Sequence, residues 1–435
     1  MMTATFTPHV MPDWVRYGMF WQVYPLGFCG CDIRRQYGRG FNGRGLDALV
    51  DWLDYAIELG ASGLLLGPIF ESSSHGYDTL DYKRVDTRLG GDEAFDRLAT
   101  ACHAKGLTLV LDGVFNHVGR EHPAVRAALD ESCGKLAAAD DPWHGMIRVE
   151  RDGEGNPSLD VFEGHGSLVD LDHTASRTVD LVADVMGYWL DRGADGWRLD
   201  AAYAVPPSFW TRVLPQVRAS HPQAWIFGEV IHGDYPAIVR ESGMDSVTQY
   251  ELWKSIQHSL ETDNFFELDW NLQRHNAFLD AFVPQTFIGN HDVTRIASQI
   301  GQSKALLALA VLMTVGGVPS IYYGDEQGYT GIKQERFGGD DDIRPKFPDS
   351  PAELSRLGEP IYRAHQDLIG LRRRNPWLVE ARTETLTLEN TRYVYRSTST
   401  DGAHSITVDL DITVDDKPSV SIVDEAGATL YRHSF

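Results

Sequence analysis

Cysteine is scarce, with four residues in a chain of 435. That excludes a disulfide-stapled scaffold, and a chain of this length can bury a core without staples. Cys29 and Cys31 are separated by one residue, too close for the usual zinc pair with two to four residues between ligands. Cys102 falls on the apolar stripe of an expected helix and Cys133 in a loop, so none of the four is given chemistry. No run of 18 apolar residues is present, and residues 1–13 carry neither the basic stretch nor the apolar core of a secretory leader. Positive charge is short as well: 39 Lys and Arg stand against 62 Asp and Glu, a net charge of −23. So acidic a chain repels phosphate backbones and anionic bilayers. The expectation is therefore a cytoplasmic protein with no nucleic-acid and no membrane partner. The G-x-G-x-x-G stretch at 38–43 does not directly follow the first strand, and internal repeats and low-complexity tracts are missing.

What is there is ordinary globular composition, 43% hydrophobic and 23% charged, arranged as strands alternating with helices. Short apolar strands are read at 18–24, 64–66, 107–111, 196–199, 224–227, 246–249, 286–288 and 320–323. Leu46, Leu49, Leu53 and Ile57 recur at helical spacing up to Gly60. Phe95, Leu98 and Cys102 mark a helix ending at Gly106. Ser176 is placed as the cap of a helix carrying Val179, Val182, Met186, Trp189 and Leu190 as far as Gly193. Eight strand–helix units predict an α/β fold, a closed (β/α)8 TIM barrel. The rival, an open doubly wound sheet, is disfavoured because no such stretch sits directly on the end of the first strand. Residues 118–172 are polar and far too long for a βα loop. The last ~50 residues alternate apolar and polar, as strands do. The expected division is therefore 1–117 and 173–380 for the barrel, 118–172 for a small inserted domain, and 381–435 for a C-terminal antiparallel, sandwich-like β domain.

Ionisable residues gather where these strands end. The third strand runs into Asp112, Asn116 and His117. The fourth holds Arg198 and Asp200, the fifth ends at Glu229, and the seventh runs into Asn290, His291 and Asp292. Singly each has an ordinary explanation: a strand-end Asp caps the next helix, and a lone His is a satisfied structural residue. Together they stand on the rim where barrel enzymes place their active sites. Arg198 and Asp200, two residues apart along a strand, point to the same side. A guanidinium there favours an ionised Asp200, while Glu229 follows the apolar Trp225, Ile226 and Phe227 and is crowded by two carboxylates. One carboxylate that attacks and one carboxylic acid that donates is the pair glycoside cleavage needs.

These segments, in this order, resemble the signature regions of the α-amylase family of glycoside hydrolases (family 13). Two more segments, 75–82 (HGYDTLDY) and 317–326 (GVPSIYYGDE), resemble others, so the likeness runs roughly from Trp14 to Arg372. It implies Asp200 as nucleophile, Glu229 as general acid/base and Asp292 as the carboxylate that stabilises the transition state. It further implies Tyr77 as a stacking platform, His117 and His291 on sugar hydroxyls, and Arg198 beside the nucleophile with Asp112 orienting it. Retention of anomeric configuration follows, with the two carboxyl groups about 5–5.5 Å apart.

Glu229 followed by Val230, Ile231 and His232, Gly196-Trp197 before Arg198, and the 339–346 loop are similar to the cyclomaltodextrinase, neopullulanase and maltogenic amylase group, whose N-terminal domain is not seen here. Dimerisation through that domain is then not expected, and a homodimer by another route is left open. The implied partner is a small oligosaccharide, a short or cyclic malto-oligosaccharide such as a cyclodextrin or cyclic maltosyl-maltose. An exo-acting α-glucosidase and an α-glucan transglycosylase stand as alternatives. His232, Asp78 and Arg344 are counted with the substrate-binding residues, and an Asp78–Arg344 salt bridge would wall the site and restrict cleavage to chain ends. No cofactor is required. Structural calcium at Asn116 and Asp170 is the open question, the alternative being that both bond loop backbone. Trp21, Trp143, Trp197 and Trp270 are the tryptophans placed near loops or motif ends, and Tyr393 and Tyr395 are the aromatics of note in the C-terminal domain.

Overall fold

The computed structural model describes residues 11–34, 44–133, 141–414 and 417–434. Most of the N-terminal stretch read above for a secretory leader lies outside them. Eight short parallel strands carry the fold: β1 Phe20–Val23, β2 Gly63–Leu66, β3 Thr108–Gly113, β4 Gly196–Leu199, β5 Trp225–Gly228, β6 Ser246–Val247, β7 Gln285–Phe287 and β8 Val318–Tyr322. Their order in the sheet is β6-β5-β4-β3-β2-β1-β8-β7. A parallel bridge between Thr248 and Gln285 then joins the two ends, and the Gln249 N–H donates to the Gln285 carbonyl at 2.8 Å. The result is the (β/α)8 barrel. Strands buried on both faces read as continuous apolar runs, which is why Leu64–Leu66 and Leu109–Leu111 show no alternation.

The helices that cover the barrel follow their apolar spacing. Helix Ser176–Asp191 buries Val179, Val182, Met186, Trp189 and Leu190. Its N-cap is Ala175 rather than Ser176, which is the first helical residue, and the Ser176 hydroxyl instead accepts from Arg212 at 3.3 Å. The expected 46–57 helix is broken into Asp47–Val50 and Leu53–Leu59. The break rotates the register, so Tyr55, Ala56 and Leu59 are buried and Ile57 is exposed. Gly60 ends the second piece at φ +105°, a left-handed cap that a side chain would strain. Helix Ile296–Thr314 is, among the described residues, the one long and apolar enough to cross a membrane by length and composition. Here residues 306–314 are all buried, and helices Tyr250–Glu261 and Glu359–Arg374 pack against it. Each such Leu or Val contributes about 1.5–3 kcal/mol by leaving water.

Between β3 and helix Ser176–Asp191 the chain makes a long excursion. It contains helix Pro123–Ser132 and a hairpin pairing Val149–Arg151 with Pro157–Leu159, and it is closed at its base where His117–Gly119 pairs antiparallel with Leu168–Asp170. At the other end of the chain, β9 Arg382–Leu388, β10 Arg392–Thr398, β11 Ser405–Asp411, β12 Ser419–Asp424 and β13 Thr429–Ser434 form one antiparallel meander. It is a single sheet rather than a sandwich. Its apolar face needs no second sheet because helices Phe266–Phe278 and Ile296–Thr314 cover it, with Tyr395 hydrogen-bonded to Thr314 at 2.6 Å.

Candidate active site

Strands β3, β4 and β5 lie side by side, and their register sets Asp112 beside Arg198 and Arg198 beside Phe227. The ladder runs on past the strand ends: the Asp200 N–H donates to the Gly113 carbonyl at 3.0 Å and the Glu229 N–H to that of Leu199 at 2.8 Å. Three carboxylates are thereby held around one guanidinium. Arg198 Nη1 donates to both oxygens of Asp112 at 2.7 and 2.6 Å, and to Asp200 Oδ1 at 3.3 Å. Its Nη2 lies 2.7 Å from Glu229 Oε1. All four side chains are buried. Burial pushes Asp112 above the usual carboxylate range against the pull of Arg198. Burial and the facing Glu229 push Asp200 well up, again with Arg198 opposing. One positive charge does not neutralise three carboxylates, and Asp112 and Asp200 hold their protons to higher pH than isolated carboxylates would.

Glu229 is tied on both oxygens. Besides Arg198, Oε1 accepts from the Tyr250 hydroxyl at 3.0 Å, and Oε2 accepts from the Ala201 N–H at 2.9 Å. That last contact needs Ala201 at φ +46°, a left-handed conformation in a residue with a side chain. Such strain persists only where the surroundings enforce it, here directly after Asp200.

Asp292 stands opposite. Arg344 Nη2 is 2.8 Å from its Oδ1, and His291 Nε2 is 3.0 Å from its Oδ2. Burial alone would raise Asp292, but His291 and the Arg344 and Arg198 guanidiniums outweigh it and hold this carboxyl well below the usual range. Arg344 also bonds the His291 carbonyl at 2.8 Å, pairs with Asp340 at 3.1 Å and lies over the Tyr24 ring. The expected Asp78–Arg344 salt bridge is not formed. Asp292 and Asp340 take the guanidinium, while Asp78 turns to the Ser74 N–H and hydroxyl at 3.0 and 2.5 Å.

Asp200, Glu229, Asp292, Tyr77, His117 and Arg344 all line one cavity of about 790 Å³. His291 is buried behind it, stacked on Tyr77 at 5.5 Å between ring centres and hydrogen-bonded to the Tyr77 hydroxyl. His117 faces the cavity, but both of its ring nitrogens are engaged, by the Tyr77 carbonyl at 3.1 Å and Asn116 at 3.2 Å. Burial, partly offset by the Tyr77 carbonyl, lowers it to about 4, so it is neutral at pH 7. His232 is not among the lining residues; it is exposed and lies against Tyr203, with ring centres 5.6 Å apart. Trp21 and Trp197 are core, Trp143 packs on His122, and Trp270 is exposed away from the cavity. Tyr393 and Tyr395 are buried under the C-terminal sheet. Reading the sequence missed Tyr250, Trp253, Phe162, Tyr203 and Phe337, all of which line the cavity. Phe162, from the long excursion, stacks on His117 at 4.7 Å.

Asn116 and Asp170 do come together, with the amide nitrogen 3.4 Å from a carboxylate oxygen. A calcium ion takes six to eight oxygens. The two side chains meet as donor and acceptor, and among the described residues no group of three or more His, Cys, Asp or Glu could hold a metal. As arranged they do not fit a cation. Dialysis against a chelator is expected to leave activity and melting temperature unchanged; a drop in either, reversed by calcium, would contradict this.

Residues 22–385 match the family described as alpha amylase, catalytic domain. The chain is 30% identical over 391 residues to the maltogenic alpha-amylase of Bacillus acidopullulyticus, covering 84% of this chain and 64% of that protein. It is 29% identical over 384 residues to a cyclomaltodextrinase of Geobacillus thermopakistaniensis, covering 83% and 63%. The chain thus spans less than two thirds of the length of these curated relatives. The solved cyclic alpha-maltosyl-(1→6)-maltose hydrolase of Arthrobacter globiformis shares the fold, with a TM-score of 0.80 over 98% of this chain and 99% of that one at 24% identity. With the match spanning most of the barrel, this chain belongs to the alpha-amylase family.

Proposed function

We propose that the chain is a retaining α-glucan hydrolase that cleaves α-glucosidic bonds in short or cyclic malto-oligosaccharides. The observation that carries this is the convergence of Asp200, Glu229 and Asp292, from three strand ends, on one cavity large enough for an oligosaccharide. Asp200 attacks the anomeric carbon as the bond to the leaving oxygen breaks, and Glu229 gives that oxygen its proton. A glycosyl ester on Asp200 results. Glu229 then takes a proton from water, which attacks the same carbon and frees Asp200. Asp292, the carboxylate with the strongest bias to ionisation, faces the positive charge that builds on the sugar ring. No step calls for a cofactor. The names of the maltogenic and cyclomaltodextrinase relatives support compact α-glucans as substrates. The four cysteines, all free, suit the cytoplasm as working compartment.

The Asp78–Arg344 salt bridge that would have restricted cleavage to chain ends is replaced by the Arg344–Asp292 pair. Incubation with a small cyclic α-glucan and, separately, with maltohexaose tests the reading. Ring opening to maltose and short linear sugars is expected. An untouched ring with stepwise glucose from maltohexaose would overturn it.

A pH dependence follows from Asp200. The attacking form is the carboxylate, and burial and Glu229 raise the pH at which it appears. Activity is therefore lost as pH falls, along a limb above about 4, the ordinary carboxylate value. A kcat/KM profile with its acid limb below about pH 4 would show an unperturbed Asp200.

A further inference from the structure

Tyr250 belongs to none of the strand-end motifs, yet its hydroxyl reaches Glu229. A directed chain of hydrogen bonds holds it there. The Asp292 N–H donates to Asn290 Oδ1 at 2.9 Å, Asn290 Nδ2 donates to the Tyr250 hydroxyl oxygen at 2.9 Å, and the hydroxyl proton is left for Glu229 Oε1 at 3.0 Å. The ring is fixed edge-on against Phe287 and Trp253, with centres 4.9 and 5.8 Å away. Oε1 thus accepts from the phenol and lies 2.7 Å from the positive charge of Arg198 Nη2. A carboxyl oxygen has two lone pairs, and a proton on the one left to Oε1 would face that guanidinium. Oε2 receives the Ala201 N–H alone and keeps one lone pair free.

We propose that Tyr250, set by Asn290, is a positioning residue that assigns the catalytic proton of Glu229 to Oε2. This rests on the hydrolase reading above and names the atom that acts in it. The Oε2 proton passes to the glycosidic oxygen as its bond to the anomeric carbon breaks and the electron pair stays with that oxygen, while Asp200 forms its bond to the carbon. In the second half, Oε2 takes the proton back from water. Because Asn290 also holds the Asp292 backbone, the same chain keeps the acid and the third carboxylate in fixed relation.

The test is Tyr250→Phe, assayed on maltotriose and on α-maltosyl fluoride, whose leaving group needs little proton help. For the fluoride, kcat/KM reports only steps up to the first bond cleavage, so slow hydrolysis of the ester does not enter. The expected result is a loss of about 10–100-fold in kcat/KM on maltotriose, carried by kcat with KM within about twofold, and less than about threefold on the fluoride. Asn290→Ala, which frees the Tyr250 hydroxyl but also releases the Asp292 N–H, is expected to lose activity on both substrates, with the larger loss on maltotriose. Equal losses on both substrates, or no loss on maltotriose, with an active wild type would overturn the positioning role alone. A wild type that cleaves neither substrate would overturn the hydrolase reading and this inference with it.

Discussion

Replacement of Arg198 by methionine is expected to destabilise the protein by about 3–5 kcal/mol and to abolish activity. The side chain is a single buried cation in contact with Asp112, Asp200 and Glu229. Methionine keeps much of the volume but none of the charge, and three buried carboxylates would face one another. They would respond by taking up protons, since Asp112 and Asp200 are already raised with Arg198 in place. The loss should therefore grow with pH: modest where the carboxyls stay protonated, largest at alkaline pH where folding forces their ionisation against burial. Urea unfolding at about pH 5 and pH 8 reads this directly. Equal losses at both pH values would mean that Arg198 acts by packing rather than by charge.

Asp200→Asn has the second-largest expected effect, and its two parts run in opposite directions. Activity should fall by at least about a thousandfold, because an amide cannot form the glycosyl ester. Stability should rise. The folded-state pKa of Asp200 lies above its unfolded value, so its ionised form costs stability at neutral pH, and the cost vanishes as pH falls and the group is protonated in both states. The variant should melt about 2 °C or more above wild type at pH 7.5 and show little gain near pH 4. A lower melting temperature at pH 7.5 would mean that the carboxylate stabilises the fold through Arg198 more than burial costs.

The barrel was legible because its strands are short apolar runs and its helices show unbroken 3.6-residue spacing, as from Val179 to Leu190. Where two local rules competed, the sequence misled. Leu46 to Ile57 has one spacing but two short helices, since tertiary packing selected Tyr55 over Ile57. The carboxylates that converge on the cavity were legible because each sits within a contiguous motif at a strand end. Arg198 and Asp200 meet by strand periodicity, and Asp112 reaches Arg198 by register in the neighbouring strand. Contacts that depend on competition in space were not legible. Arg344 has Asp78, Asp292 and Asp340 within its reach as partners on paper, and only the folded chain shows that it takes the last two. Trp253, Phe162 and Phe337 come from helices and loops whose path over the rim is set by packing, so no local spacing marks them, whereas Tyr250 directly follows the strand read at 246–249 and that position was its one signal.

The most direct measurement is to trap the reaction intermediate. Incubation with a 5-fluoro-α-glycosyl fluoride, which forms the ester quickly and hydrolyses it slowly, followed by peptide mass spectrometry, would locate the sugar. The account predicts a single glycosylated peptide with the label on Asp200, and an α-anomer as the first product from an ordinary oligosaccharide. A label on another carboxylate, or a β-anomer formed first, would contradict it.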